Sequence, residues 1–371
     1  MKALRLVAAN ILVFLALWMC VVLLIAVVGD VWVFGIKPHV RATDGRAALP
    51  PYADHEMAAR IFSDQKEADF RYVPFVEWRH RRHSSETVNI DSEGLRMHKA
   101  GKASDGAETT IGFFGGSTMW GTGVDDDSTI PAFFDQLTDG YQVTNYAERG
   151  YTSRQNLEEL INLVVTRRVP KVVVFYNGYN ETWAHCNYTI TRSLNGHIRE
   201  SRLADALATA EEDKSALYES FVEPVVRFII ELLGRPKKED EFACSNDPER
   251  ADAVAEMIVA NWAIAELLVS RNGGRFYAFL QPNAYVGKPR IDYLGLSSDR
   301  LERGAEFQAV YPLVRKKLSE RGASWAKDLS GAFDSNEPIF IDDAHVAPQG
   351  NRIIAEQMRK FIDQSPQLPQ P

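Results

Sequence analysis

The longest uncharged stretch of the chain lies at its N-terminus. Residues 6–28 carry no charged side chain, and Asn10 is the only strongly polar residue among them. A run of roughly 20 apolar residues is long enough to cross a bilayer as a helix. Because Lys2 and Arg5 precede the run and Asp30 follows it, the positive-inside rule places the remaining chain outside the cytoplasm. The pattern predicts a membrane anchor over residues 1–36. A cleaved signal peptide is the alternative, although its apolar core normally covers only about 7–15 residues.

After residue 109 the pattern changes to short apolar runs that alternate with amphipathic stretches. The clearest run, 171–176, is apolar from Val172 to Tyr176, which is typical of a parallel strand buried on both faces. Further strands are predicted at 109–114, 142–145 and 275–281. Apolar positions at helical spacing predict helices at 129–137, 153–168, 253–269, 303–321 and 348–362. The alternation predicts an α/β fold in which a parallel sheet lies between two layers of helices.

Two regions depart from this alternation. Residues 37–105 are mixed and contain four prolines, which would break any long helix. We expect this stretch to be a lead-in segment that packs on the main domain and does not fold alone. Residues 185–249 interrupt the order of strands and helices, and they predict a helical insertion over the sheet edge or the active face. The main domain is therefore expected at 106–371, with the insertion inside it.

Composition narrows the possible functions. The chain has a net charge of −8 and no long basic run, so it lacks the positive face expected of a nucleic-acid-binding protein. The short basic stretch at 79–83 is interpreted as a solvated turn. Cys20 lies in the apolar N-terminal run, whereas Cys186 and Cys244 could form a disulfide outside the cytoplasm or remain two small buried side chains. No group of cysteines and histidines has zinc-ligand spacing, and neither a metal nor a cofactor is predicted.

Candidate chemistry lies where strands end, because ligands of open α/β sheets bind beyond the carboxyl ends of the strands. Ser117 follows the first strand after Gly115 and Gly116, where glycines allow a sharp turn that exposes the hydroxyl. A serine hydroxyl needs a positioned base before it can act as a nucleophile. No Gly-Lys-Ser/Thr follows, which excludes a P-loop, and the Gly-x-Gly-x-x-Gly pattern is absent. A tight turn without chemistry is the alternative.

Three later segments also carry polar groups at strand ends. Gly150 stands before a helix and Asn180 follows Gly178, so a backbone amide and a carboxamide can donate hydrogen bonds to a developing negative charge. Near the C-terminus, Asp342 precedes His345 by three residues. At that spacing the carboxylate can orient the imidazole as a base for the serine. Asp343 is interpreted as a solvated acidic residue of the same loop.

Together these segments resemble the four blocks of the SGNH, or GDSL-type, hydrolase superfamily over residues 109–184 and 250–363. The blocks match at Gly116-Ser117, at Gly150, at Gly178 with Asn180, and at Asp342 with His345. Residues 88–96 also resemble a segment that precedes this domain in bacterial envelope members. The chain departs from the family pattern where Gly116 and Glu181 replace aspartates. Neither replaced residue transfers a proton in the family, so activity is expected to survive. The α/β-hydrolase elbow fits less well, because it would need glycine in place of Met119.

The resemblance implies a flavodoxin-like sheet, no cofactor and acyl-transfer chemistry. Ser117 would attack an ester carbonyl, His345 would act as base and then as acid, and Asp342 would orient the imidazole. The oxyanion hole would consist of the amides of Ser117 and Gly150 with the side chain of Asn180. The expected function is that of a serine esterase with this triad.

The predicted export suggests the substrate. Membrane-anchored relatives often act on O-acetyl groups of polysaccharides, so we expect a periplasmic or extracellular esterase for an acylated glycan. The aromatic residues near the site could stack on sugar rings or simply pack in the fold; they are Trp120, Tyr151, Tyr179 and Trp183. The alternatives are an O-acetyltransferase for the same glycans, a lipid esterase, and a non-catalytic glycan-binding or assembly factor. The sequence leaves the acyl group and any protein partner open.

Overall fold

The computed structural model describes residues 44–99, 109–187 and 242–365, together with helical positions between residues 10 and 24. The chain divides into two compact units, one made of residues 1–42 and 202–239 and the other of residues 43–201 and 240–371. Nearly all described residues belong to the second unit. Most of the predicted anchor and most of the predicted insertion at 185–249 lie outside the described residues.

The second unit is built on a five-stranded sheet in which all neighbouring strands are parallel. The described strands are β1 (Phe70–Val73), β2 (Glu77–His80), β3 (His83–Ser84), β4 (Asn89–Ile90), β5 (Thr109–Gly115), β6 (Tyr141–Asn145), β7 (Val172–Asn177), β8 (Arg275–Leu280) and β9 (Ala326–Asp328). The main sheet has the order β6-β5-β7-β8-β9. Counted within the sheet this is the flavodoxin-like order 2-1-3-4-5, which confirms the predicted fold class. The order reverses between β5 and β7, where ligands bind in such sheets.

Helices cover both faces of the sheet. The described helices are α1 (His55–Glu67), α2 (Ser117–Trp120), α3 (Ile130–Leu137), α4 (Ser153–Val165), α5 (Tyr179–His185), α6 (Pro248–Arg271), α7 (Ser298–Glu302), α8 (Gly304–Glu320) and α9 (Pro348–Gln364). On one face α4, α6 and α8 pack against Val173 and Phe175, and on the other α3 and α9 pack with Val172 and Val174. Consecutive strand residues point to opposite faces, so a sheet covered on both sides needs the unbroken apolar run found in β7.

Within the described part of the chain, α6 alone has the length and apolar composition of a membrane-spanning helix. It lies mid-chain and packs Val254, Ile258 and Trp262 into the core, where all three are fully buried. Its apolar composition is therefore that of a core helix. The described positions between 10 and 24 are also helical and expose apolar side chains such as Phe14 and Leu24. The anchor at residues 1–36 stays a prediction.

The described part of the lead-in, residues 44–99, lies in the same compact unit as the main sheet. α1 packs Phe62 in a small apolar cluster with Ile341 and Ala347. The prediction of a solvated basic turn at 79–83 is wrong for Arg79 and His80, which are buried. Arg79 lies 3.1 Å from Glu159, and His80 lies 2.7 Å from Glu148. Both acidic partners come from elements distant in sequence, so the local run of charges could not reveal them.

Cys186 and Cys244 are joined by a disulfide, which resolves the two alternatives left open by the sequence. The bond links the end of α5 to the segment before α6. Both cysteines are buried, and the Cys244 amide donates to the Glu306 carboxylate at 2.7 Å. The disulfide thus links the two ends of the predicted insertion at 185–249.

Candidate active site

The four predicted segments meet at the carboxyl edge of the sheet. Ser117 begins α2 directly after β5, and Asn180 lies in the first turn of α5 directly after β7. Gly150 lies in the turn between β6 and α4. Asp342 and His345 precede α9 in the loop that also carries the bridge between Phe340 and Val346. The parallel topology therefore brings residues more than 220 positions apart in sequence to one place.

A hydrogen-bonded series joins the serine, the histidine and the aspartate. Ser117 Oγ lies 2.7 Å from His345 Nε2, and His345 Nδ1 lies 2.8 Å from Asp342 Oδ2. With the carboxylate accepting the proton of Nδ1, the lone pair of Nε2 faces the serine hydroxyl. The geometry is the one by which a histidine can accept the proton of a serine as the serine attacks a carbonyl carbon.

The turn around Asp342 explains the three-residue spacing. Asp342 Oδ1 accepts the backbone amides of Ala344 at 2.9 Å and His345 at 2.7 Å. Burial alone would raise the pKa of Asp342, but the charge of His345 and the hydrogen bonds from His345 and Ala344 outweigh it. The pKa of this carboxyl therefore lies well below its usual value of 3.8. The carboxylate stays ionised and fixes the imidazole ring at neutral pH.

A fourth residue touches this series, and sequence reasoning missed it. Arg46 Nη1 donates to Asp342 Oδ2 at 2.7 Å across 296 residues of chain. Arg46 lies in the lead-in, in a short 3-10 turn at Gly45–Ala48. The surrounding sequence has no pattern of a catalytic motif, so no signal in the sequence alone could have found the contact.

Gly116 and Asn180 are in close contact. A Cβ atom at Gly116 would lie 2.3 Å from Asn180 Nδ2 and 3.1 Å from the Tyr151 carbonyl oxygen. Asn180 Nδ2 donates one hydrogen bond to that carbonyl at 2.7 Å, which fixes the carboxamide and leaves its second N–H available. Gly150 adopts φ +82°, a conformation that favours glycine. A side chain larger than glycine at position 116 would therefore displace the carboxamide of Asn180.

Glu181, the second departure from the family pattern, lies fully buried beneath the site. Its carboxylate accepts the amide of Gly178 at 2.8 Å and also the amide of Ser153. Burial raises the pKa of this carboxyl, against the opposing effect of these hydrogen bonds. Glu181 thereby connects the turn that carries Asn180 to the helix that follows Gly150. Its place in the structure is that of a support for both loops.

The aromatic residues proposed to stack on a sugar are placed differently. Trp120 and Tyr151 are fully buried, so that prediction is wrong for both. Trp120 stacks on His80 with ring centroids 4.8 Å apart, and the Tyr151 hydroxyl donates to the Trp78 carbonyl. The hairpin of β1 and β2 covers both rings, and no pattern of neighbouring residues in the sequence predicts that contact. The alternative interpretation, that these rings pack inside the fold, is confirmed for Trp120 and Tyr151.

Tyr179 and Asp343 form a second polar contact beside the triad. Tyr179 is only 9% exposed, and its hydroxyl donates to Asp343 Oδ2 at 2.8 Å. Tyr285 donates to the same oxygen at 2.7 Å. The interpretation of Asp343 as solvated is therefore wrong, because its carboxylate is buried by two phenols. Trp183 is partly buried against the core.

One group of potential metal ligands occurs among the described residues, formed by Cys186, Cys244 and Glu306. The two sulfur atoms are already bonded to each other. Glu306 accepts the backbone amides of Cys244 and Ser245. These donors are therefore committed to other bonds, and the group does not fit a metal ion.

Comparison with known proteins gives matches in structure alone. No protein-family model matches the chain, and no curated protein sequence matches it. A lipolytic protein of the G-D-S-L family from Veillonella parvula is 13% identical, with 69% of this chain and 99% of that chain covered at a TM-score of 0.38. A GDSL-like lipase from Bacteroides thetaiotaomicron is 15% identical, with 69% and 89% covered and a TM-score of 0.38. A catalytic mutant of an acetylxylan esterase from Geobacillus stearothermophilus is 14% identical, with 69% and 95% covered and the same TM-score of 0.38. At such low identities and scores, the function has to be argued from the geometry of the site.

Proposed function

We propose that the chain is a serine ester hydrolase that removes O-acyl groups, with O-acetyl as the expected group, from a cell-envelope or secreted polysaccharide. One observation carries the proposal: the hydrogen-bonded series from Ser117 through His345 to Asp342. A glycan-binding protein has no need for a serine hydroxyl 2.7 Å from an imidazole whose second nitrogen is held by a buried carboxylate.

The proposed reaction begins with attack of Ser117 Oγ on the ester carbonyl carbon, while His345 Nε2 takes the hydroxyl proton. The carbonyl oxygen becomes an oxyanion that accepts hydrogen bonds from the amides of Ser117 and Gly150 and from the second N–H of Asn180. One such donor typically contributes about 10²–10³ in rate. Collapse of the intermediate breaks the bond to the alcohol oxygen, which takes the proton back from His345. Water then attacks the acyl-serine, with His345 again as base, and the serine hydroxyl is restored.

The proposed location is outside the cytoplasm, with the N-terminal helix in the membrane and the N-terminus on the cytoplasmic side. The apolar side chains of Phe14 and Leu24 are 66% and 64% exposed, which is unfavourable in water and favourable in lipid. The disulfide between Cys186 and Cys244 also supports the proposal, because such bonds persist in oxidising compartments. An extracytoplasmic esterase would meet envelope or secreted glycans as its ester substrates.

The first test uses the full chain in detergent and a fluorophosphonate probe. Reaction would form a bond between Ser117 Oγ and phosphorus and expel fluoride, and mass spectrometry of peptides would identify the labelled residue. We expect labelling at Ser117, loss of labelling in Ser117→Ala, and slow labelling in His345→Ala. Ser335→Ala, which removes an exposed serine, should label like the wild type.

The second test follows the product. Hydrolysis of p-nitrophenyl acetate measures esterase activity, and acetate release from O-acetylated polysaccharides measures the proposed reaction. Addition of unacetylated oligosaccharide distinguishes water from a sugar hydroxyl as the acceptor, since a transferase would give an acetylated oligosaccharide. A folded protein with neither labelling of Ser117 nor ester hydrolysis would contradict the enzyme proposal and favour glycan binding.

A further inference from the structure

Arg46 forms an ion pair with the carboxylate that orients His345. Its Nη1 lies 2.7 Å from Asp342 Oδ2, and the two side chains are 32% and 10% exposed. The other oxygen of this carboxylate accepts two backbone amides from its own turn. Both oxygens of Asp342 are therefore fixed by groups other than the imidazole, one by the local turn and one by Arg46.

Contacts other than the one with Asp342 also hold the Arg46 guanidinium in place. Arg46 Nε donates to Asp44 Oδ1 at 3.0 Å, and Nη2 donates to Asp44 Oδ2 at 2.8 Å. The guanidinium carbon lies 4.5 Å from the centre of the Phe62 ring. A bidentate carboxylate and an aromatic ring restrict the planar group, and Nη1 is left to point at the triad. Arg46 therefore has little orientational freedom to lose when it binds Asp342.

The lead-in segment docks on the loop that carries the triad. Ala47, Tyr52, Ala58 and Phe62 form one apolar cluster with Ile341 and Ala347, which flank Asp342 and His345 on both sides. The Tyr52 hydroxyl donates to the Gly123 carbonyl at 2.7 Å, and Gln349 Nε2 donates to the Pro51 carbonyl at 3.1 Å. This contact fixes the distance between the lead-in backbone and the triad loop, and with it the position of Arg46.

We propose that Arg46 is a positioning residue for the reaction, acting through Asp342. It holds Asp342 Oδ2 in the orientation that keeps the imidazole directed at Ser117, and it partly balances the charge of the carboxylate. The inference rests on the proposed serine hydrolase function. It makes the segment directly after the predicted anchor a part of the active site that the four family blocks do not include.

The test compares steady-state kinetics of the full chain with p-nitrophenyl acetate. Loss of a hydrogen bond to a charged group typically corresponds to a factor of about 10 to 100, and partial exposure of Arg46 favours the lower end. We expect Arg46→Ala to lower kcat about 10-fold with little change in KM, and Arg46→Lys to recover part of the loss. Arg60→Ala is the matched control, because Arg60 is an exposed arginine of the same segment that pairs only with Glu86 among the described residues. It should leave kcat unchanged.

A double-mutant comparison separates positioning from general damage to the fold. In an Asp342→Ala background, Arg46→Ala should change kcat less than twofold, because its effect passes through the missing carboxylate. An equal loss in both backgrounds would overturn the proposal, and so would wild-type kcat in Arg46→Ala. Thermal unfolding of each variant shows whether it is folded. If Arg46→Ala does not fold, Arg46→Lys replaces it in the comparison.

The pH profile gives a readout that a purely structural role would not change. The titratable and charged groups around the contact are Asp44, Tyr52, Arg149, Asp342 and His345. Removing the positive charge of Arg46 favours the protonated imidazole, so the acidic limb of kcat/KM should move to higher pH in Arg46→Ala and stay in place in Arg60→Ala. An unmoved limb would overturn the proposal. Wild-type protein without hydrolysis or labelling of Ser117 would instead remove the proposed function itself.

Discussion

Replacement of Gly116 by alanine tests how closely the site depends on Asn180. The added methyl group would lie 2.3 Å from Asn180 Nδ2, whereas ordinary contacts begin at about 3.4 Å. Gly116 has φ −88° and ψ −157°, an extended conformation that alanine adopts without strain. The main perturbation is therefore a collision with the end of the Asn180 side chain, which has to move by about 1 Å, and a second, milder one is the 3.1 Å approach to the Tyr151 carbonyl oxygen.

The movement should affect catalysis far more than stability. Displacing the carboxamide breaks its hydrogen bond to the Tyr151 carbonyl, which costs about 1 kcal/mol and lowers Tm by about 2–4 °C. It would also remove the proposed oxyanion donor, and loss of one such donor typically lowers kcat by about 10²–10³, equivalent to about 3–4 kcal/mol of transition-state stabilisation. Because the donor acts on charge that develops only in the transition state, KM should change little.

The assay is steady-state hydrolysis of p-nitrophenyl acetate by the full chain, with Tm from differential scanning calorimetry. Gly331→Ala is the matched control, since a Cβ there would meet only the Asp334 side chain, whose nearest atom, Oδ2, lies at the ordinary contact distance of 3.4 Å. In an Asn180→Ala background, Gly116→Ala should have little further effect on kcat. A wild-type kcat in Gly116→Ala would refute this reasoning. So would an equally large loss of kcat when Gly116→Ala is made in the Asn180→Ala background.

Two further predictions concern stability. The lowered pKa of Asp342 means that its contribution to stability is present above about pH 4 and is lost as pH falls through the folded-state pKa. Urea unfolding should therefore show a stability difference between wild type and Asp342→Asn that becomes smaller from pH 6 to pH 3. A difference that stays constant over this range would count against the ionised carboxylate. Replacing both Cys186 and Cys244 by serine opens a bridge with a sequence separation of 58 residues, and chain entropy predicts a loss of about 4 kcal/mol in the free energy of unfolding. Urea unfolding of the wild type, of this variant and of Cys20→Ser measures the loss, and equal midpoints for all three proteins would show that the bridge is not formed.

Local patterns in the sequence were sufficient for four of the five strands of the sheet and for Ser117, Asp342 and His345. The apolar runs of β5, β7 and β8 predicted buried parallel strands, and the structure confirms that these strands pair in parallel. Asp342 and His345 could be found because their turn is closed by hydrogen bonds within three residues. The strand β9 was missed, because Ala326–Asp328 has only three residues and no apolar run.

Predictions failed where burial depends on a distant segment. Trp120 was a candidate for sugar binding until the hairpin of β1 and β2 placed His80 against its ring. Asp343 looked like a solvated neighbour of Asp342, but the hydroxyls of Tyr179 and Tyr285 cover it. Single aromatic or charged residues carry no periodic signal, so their surroundings follow from packing alone.

The sequence by itself therefore determined which residues alternate between the faces of the sheet and which polar groups stand at its carboxyl edge, because periodicity and short turns are properties of neighbouring residues. Tertiary structure alone decided that Gly116 leaves room for Asn180 and that Arg46 binds Asp342. Those contacts join residues separated by 64 to 296 positions. These contacts depend on how the lead-in and the loops pack on the sheet. The conformational preferences of neighbouring residues do not determine how closely two segments that are distant in sequence approach each other.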